Sequence, residues 1–267
     1  MNVRKLVLFN LWSVILVISV NYISQSLRLN GTTIGEVSER YDNLFTPASY
    51  AFAIWGVIFL GLFLFSLFQL RRAYFSQKRT DFIVQIGYWF AIANTLNALW
   101  VFAFVYDYVA LSVLIMLGIL FSLIKIILNT NMERWDAPIE IIAFVWWPIC
   151  LYSGWIAVAT IANIAAYLTK LNWNGAPFSP ETCTIALIVI ATVINLVMIW
   201  KRNMREFAAV GVWALFAIFI RHREAYENIA QTALVCSSII LIAIMVHGYH
   251  NRKTNPVHKL MQRLRKS

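Results

Sequence analysis

The sequence predicts an all-α polytopic membrane protein, and three observations lead there. Of the 267 residues 61% are hydrophobic and only 13% are charged, whereas a soluble domain carries about 25% charged residues. The charges cluster between long apolar runs. Those runs do not alternate polar and apolar residues as the strands of a membrane β-barrel do. In hydrocarbon every backbone amide has to pair within its own segment, so the runs are helices, and about 20 apolar residues suffice to cross.

Eight apolar segments follow in order: 6–24, 48–70, 82–105, 108–128, 138–168, 183–200, 207–220 and 229–248. The first follows Arg4 and Lys5 but has no small-x-small cleavage motif near Ser24 to Ser26, so it is read as a helix and not as a removable signal. The second opens at Pro47, a residue suited to a helix start, and meets no charge until Arg71. The fifth contains Pro148, and the seventh is the shortest, with about 14 residues. Between the first two segments, 25–47 is long enough to cap a pocket, and 169–182, with Asn174, Gly175, Pro177 and Pro180, reads as a linker between two helical groups. The sequon Asn30-Gly31-Thr32 is too common a pattern to carry an argument.

Loop charges orient the chain. With the N-terminus inside, 17 of the 22 basic residues fall on one side, and only Arg28, Arg40, Lys170, Arg221 and Arg223 on the other. The positive-inside rule therefore predicts an even number of spans with both termini cytoplasmic, in a plasma or inner membrane. The net charge of +10 is then an orientation signal whose partner is anionic lipid at the inner face of the bilayer, not nucleic acid. In the basic tail 251–267, Asn255 and Pro256 suit a helix start, and Val257, Leu260, Met261 and Leu264 share one helical face. The tail reads either as a short amphipathic helix on the inner leaflet or as a disordered basic segment.

Catalytic signatures are missing: there is no HExxH, GxSxG, phosphate loop or dinucleotide fingerprint. Cys150, Cys183 and Cys236 lack metal-like spacing and read as small buried hydrophobes. His247 and His250, one helical turn apart, read as interface histidines, so no metal ligand and no catalytic residue is assigned. The intramembrane amides of Asn94, Asn97, Asn163 and Asn195 are more telling, because an unpaired amide in hydrocarbon is costly and has to bond either a neighbouring helix or a ligand. Asn97, Trp100 and Phe104 share one helical face, as do Trp155, Ala159 and Asn163 one turn beyond Tyr152, and as do Phe52, Trp55 and Phe59. Aromatic stripes on three helices, two of them carrying an amide, fit an apolar pocket with few polar groups.

Those motifs resemble the TspO/MBR family of tryptophan-rich sensory or translocator proteins. Its second helix opens with Pro, an aromatic, Phe and Trp, here Pro47, Tyr50, Phe52 and Trp55. Its third carries Leu-Asn-x-x-Trp and then Phe, here Leu96, Asn97, Trp100 and Phe104; its fifth carries Tyr, Trp, Ala and Asn, here Tyr152, Trp155, Ala159 and Asn163. The spacing from Phe52 to Trp55 is one residue shorter than the family's, Pro148 stands four residues before Tyr152, and 108–128 lacks the acidic residue of the family's fourth helix. The resemblance covers about residues 1–172 as a five-helix core, followed by a linker at 173–182 and a three-helix segment at 183–250 without counterpart in the five-helix proteins. It implies a pocket for a planar hydrophobic ligand, a porphyrin or haem or a sterol, closed by the first long loop. Phe52, Trp55, Asn97, Trp100, Tyr152, Trp155, Ala159 and Asn163 then bind the ligand, with Ala159 giving space and Asn97 bonding a ligand carbonyl or carboxylate. The implied role is sensor or carrier, with a homodimer open. The alternatives are a secondary transporter of a small metabolite, a membrane enzyme acting on the ligand, and a structural protein whose aromatics only pack.

Overall fold

The computed structural model describes residues 2–252, so the tail helix expected around Val257 to Leu264 lies outside the described residues. Each of the eight apolar segments is helical. The elements are α1 (Val3–Leu27), α2 (Ile34–Arg40), α3 (Ile54–Tyr74), α4 (Asp81–Ile86), α5 (Trp89–Val105), α6 (Val109–Asn129), α7 (Ile139–Lys170), α8 (Pro180–Arg202), α9 (Arg205–His222) and α10 (Glu227–His250). A 3-10 turn, Ser49–Ala53, leads into α3. Among the described residues there is no strand. Among the described residues six helices are long and apolar enough to cross a membrane: α1, α3 with its leading turn, α6, α7, α8 and α10. The chain is a multi-pass helical membrane protein.

Local chemistry sets the boundaries. Asn2 caps α1 by accepting from the amides of Arg4 and Lys5, and Ser179 caps α8 ahead of Pro180. The segment 82–105, read as one helix, is two: Gly87 breaks it with φ +58° and ψ −143°, a conformation open essentially to glycine alone. In α7, Pro148 lacks the amide that would bond the Phe144 carbonyl, and the helix widens into a π-turn over Ile142–Trp146 just before it. The loop 25–47 holds α2, started by a reciprocal capping box in which Glu36 N donates to Thr33 Oγ1 (3.2 Å) and Thr33 N to Glu36 Oε2 (3.1 Å).

The helices form one contiguous packing. α1, α3, α5, α6 and α7 surround one another, α9 packs along α7, and α8 and α10 pack on α9. One end gathers the basic loops: Arg4 lies over the Tyr74 ring at 5.2 Å, Arg134 donates to the Lys201 carbonyl (3.1 Å) and Asn203 to the Glu133 carbonyl (2.8 Å). The opposite end carries α2. Polar glue joins α1 to its neighbours, with Asn10 Nδ2 donating to Gln69 Oε1 (2.8 Å) and Asn94 Nδ2 to Ser13 Oγ (3.1 Å). Lipid tails give helices no hydrophobic reason to associate, so close van der Waals approach has to hold them. At Gly154 it is extreme: a Cβ there would sit 2.8 Å from the Phe207 carbonyl oxygen and 3.1 Å from Val210 Cβ.

Gly154→Val should therefore push α9 off α7, costing about 1–3 kcal/mol by overpacking, read as a lowered melting temperature in detergent. Gly56→Ala, whose added Cβ meets nothing within 4 Å, should leave the melting temperature unchanged or raised.

Candidate functional site

The three aromatic stripes converge. Phe52 enters from the turn before α3, Trp55 from α3, Trp100 from α5, and Trp155, Ala159 and Asn163 from α7; all six line one hollow. Trp55 meets Trp155 edge to face, centroids 6.4 Å apart, and Phe52 meets Trp155 likewise at 5.9 Å. Trp100 stacks on Phe104 at 5.1 Å. The walls are close together, leaving a cavity of about 50 Å³, room for one or two waters. None of its lining side chains is ionisable.

Hydrogen bonds fix the rings. Trp100 Nε1 donates to Asn163 Oδ1 at 2.7 Å, and Asn163 Nδ2 donates to Ser112 Oγ at 2.9 Å. That chain joins α5, α7 and α6. Trp155 is nearly fully buried, and among the described residues its indole Nε1 has no hydrogen-bond partner.

The structure places Asn97 and Tyr152 behind the wall and not in it. Asn97 Nδ2 donates to the Tyr152 hydroxyl at 2.9 Å, and Tyr152 supports the Trp55 ring from the side, centroids 6.1 Å apart. Asn97 Oδ1 is left without a partner. Of the other intramembrane amides, Asn195 donates to its own helix at the Ala191 carbonyl (2.8 Å). Several lining residues escape the sequence reading. Ala162 and Ala166 join Ala159 and Asn163 on one face of α7 at i, i+3, i+4 and i+7, a spacing legible in the sequence. Met116 of α6 and Ile34 and Ser38 of α2 carry no such signal.

The roof is α2 and the strap that follows it, with Thr46 and Pro47 facing the hollow. Two latches hold the roof. The first lies at the turn between α5 and α6, where the Tyr41 hydroxyl donates to Asp107 Oδ1 and Lys170 Nζ lies 2.8 Å from Asp107 Oδ2. Burial on its own raises the Asp107 carboxyl, but the bonds from Lys170 and Tyr41 outweigh it and hold the group below its ordinary value. Burial, then the bond to Asp107, raises the Tyr41 hydroxyl. The second latch comes from α9. Arg221 donates to the Thr46 carbonyl (2.8 Å) and pairs with Asp42. His222 Nε2 lies 2.9 Å from the Leu44 carbonyl, Ala48 N donates to the Ala217 carbonyl (3.2 Å), and Trp213 Nε1 donates to the Ala51 carbonyl (3.1 Å).

Two clusters lie away from the hollow. His247 Nε2 lies 3.1 Å from Asn203 Oδ1, and its ring stands edge-on to Trp200, which ties α10 to the connection between α8 and α9. Glu133, Cys150 and Glu206 bring ligand-type atoms within 4.8 Å of one another. The fold gathers that trio from three distant stretches, so sequence spacing carries no sign of it.

A family model described as TSPO-like protein matches residues 7–246, a span that runs from α1 into α10. No curated protein and no solved structure matches the chain.

Two outcomes follow from the latches. Arg221→Ala removes a charge-assisted bond worth about 1–2 kcal/mol, so amide hydrogen exchange across 44–51 should quicken roughly 5–30-fold while the core of α5 stays protected. Because the folded Asp107 carboxyl titrates below its ordinary range, its contribution is present above about pH 4 and fades as pH falls through and below that value. Protection across 34–41, taken relative to the intrinsic exchange rate at each pH, should therefore fall in acid; Asp107→Asn should weaken that pH dependence, with Glu36, also held below its ordinary value, supplying the remainder.

Proposed function

The chain belongs to the TSPO-like family, and from that premise we propose that it binds a small planar hydrophobic ligand, tetrapyrrole-like or sterol-like, among Trp55, Trp100 and Trp155 and serves as its carrier or sensor. The observation that carries this reading is the convergence of three tryptophans from three helices on one apolar hollow under a latched roof. Indole faces suit a flat ring system. The unpartnered Trp155 N–H in the wall is a donor that a ligand carbonyl, hydroxyl or carboxylate satisfies. The lining has no acid–base pair, which favours binding and passage over chemistry on the ligand.

The cavity volume says how binding proceeds. A space of about 50 Å³ is well below the several hundred Å³ of a drug-sized site. The ligand therefore enters when the roof lifts, and the gap between the indoles widens around it. The preponderance of basic residues at one end supports an arrangement with both termini cytoplasmic.

Titration of the purified protein with protoporphyrin IX should quench tryptophan fluorescence at micromolar ligand. Trp155→Ala should weaken binding about tenfold, equivalent to ~1.4 kcal/mol. A sterol that competes for the same quench extends the ligand class. Lack of quenching by protoporphyrin IX together with no rise in melting temperature on adding the sterol would sink the reading.

A further inference from the structure

We propose that a second pocket, at the basic end of the bundle and remote from the aromatic hollow, binds an anionic phosphate group, carried either by a lipid headgroup or by a soluble phosphate. The last turns of α3, the loop after it, the start of α4, the end of α6 and the start of α7 enclose a cavity of about 600 Å³. The aromatic hollow measures only about 50 Å³, so this is the space that stands ready for a ligand.

Arg72 stands at the centre of this pocket. Its side chain lines the cavity, yet the residue is only 8% exposed. Its guanidinium lies over the Phe68 ring at 4.9 Å. Among the described residues it has no hydrogen-bond acceptor and no carboxylate partner. The guanidinium carries five fixed donors, and its nitrogens are not among the fully buried unpartnered atoms, so they open onto the cavity. An anion in that space gives them an acceptor. Lys78 and Arg79 join Arg72 in the lining, against the carboxylates of Asp81 and Glu140, so the cations exceed the anions by one. Glu140 pairs with Lys78, 3.7 Å away. A phosphate fits this set: the guanidinium fork takes two of its oxygens, and a lysine ammonium on a flexible stem takes a third. Phe82 and Trp135 complete an apolar side wall, against which the glycerol and first acyl carbons of a lipid can rest.

The test uses the full-length protein in a neutral maltoside detergent, with melting temperature as the readout. Dioctanoyl phosphatidylglycerol, dioctanoyl phosphatidylcholine and inorganic phosphate are titrated separately. Phosphatidylglycerol should raise the melting temperature by about 2–5 °C, the zwitterionic lipid should not, and Arg72→Gln should abolish the shift. The double variant Lys78→Gln/Arg79→Gln, confined to the loop after α3, should retain the fold and move the titration midpoint at least about fivefold to higher concentration, as expected for a lost charge-assisted contact; it decides the matter if Arg72→Gln does not fold. A shift with inorganic phosphate as well assigns the recognition to phosphate itself; a shift with phosphatidylglycerol alone assigns it to the lipid headgroup. Absence of a shift with either anion, equal shifts with the two lipids, or shifts unaltered in the foldable variants overturns the proposal.

Discussion

The bond that Trp100 donates to Asn163 is the interaction on which the aromatic hollow depends. In hydrocarbon an indole N–H or a carboxamide left alone is costly, and here each answers the other at 2.7 Å. The same amide reaches Ser112 with its nitrogen, so one side chain ties α5, α6 and α7 together at the depth of the hollow. Trp100 is thereby held against Phe104 as a wall. Ala159, Ala162 and Ala166 then keep α7 low enough for a gap to remain. Polar glue fixes the frame, and small residues leave the room.

Much of this was legible in the sequence. Charge placement and apolar length located all eight helical segments, because in a bilayer the backbone leaves a chain few other options. The helical periodicity of Phe52, Trp55, Trp100, Trp155, Ala159 and Asn163 was enough to bring them to one face each, and the fold brings those faces together. What periodicity does not determine is depth behind the face. Asn97 shares the stripe of Trp100, yet it bonds Tyr152, and the two stand behind the wall as a brace for Trp55. Only the rotation of α5 against α7 separates a lining amide from a bracing one, and that rotation is a packing outcome. The break at Gly87 had a sequence sign, a lone glycine in an apolar run, as did the helix in the first loop, where Thr33 and Glu36 form a capping box. The Glu133, Cys150 and Glu206 cluster and the Arg72 pocket had none, since each is assembled from stretches far apart in the chain.

The two ends of the bundle follow different physics. At the α2 end, α9 reaches backbone carbonyls: Arg221, Trp213 and His222 each address one in the strap or the turn after it, and Thr46 and Pro47 face the hollow. At the basic end, charge is in excess and the Arg72 guanidinium opens onto a large cavity. The family match running from residue 7 to residue 246 accords with α9 having a structural part in the roof, since α9 grips the strap and packs along α7 at Gly154.

The grip of α9 on the strap also imposes an order of assembly. Asp42 and Thr46 leave the ribosome long before Arg221, 175 residues ahead in the case of Thr46. At ~5–20 residues per second the roof waits on the order of 10–30 s for its clasp while the tryptophan walls are already emerging. During that interval the chamber is roofed only by a segment with its backbone acceptors unanswered on the α9 side. The hollow is closed on that side only once α9 has been made, so closure of the chamber is among the last contacts to form.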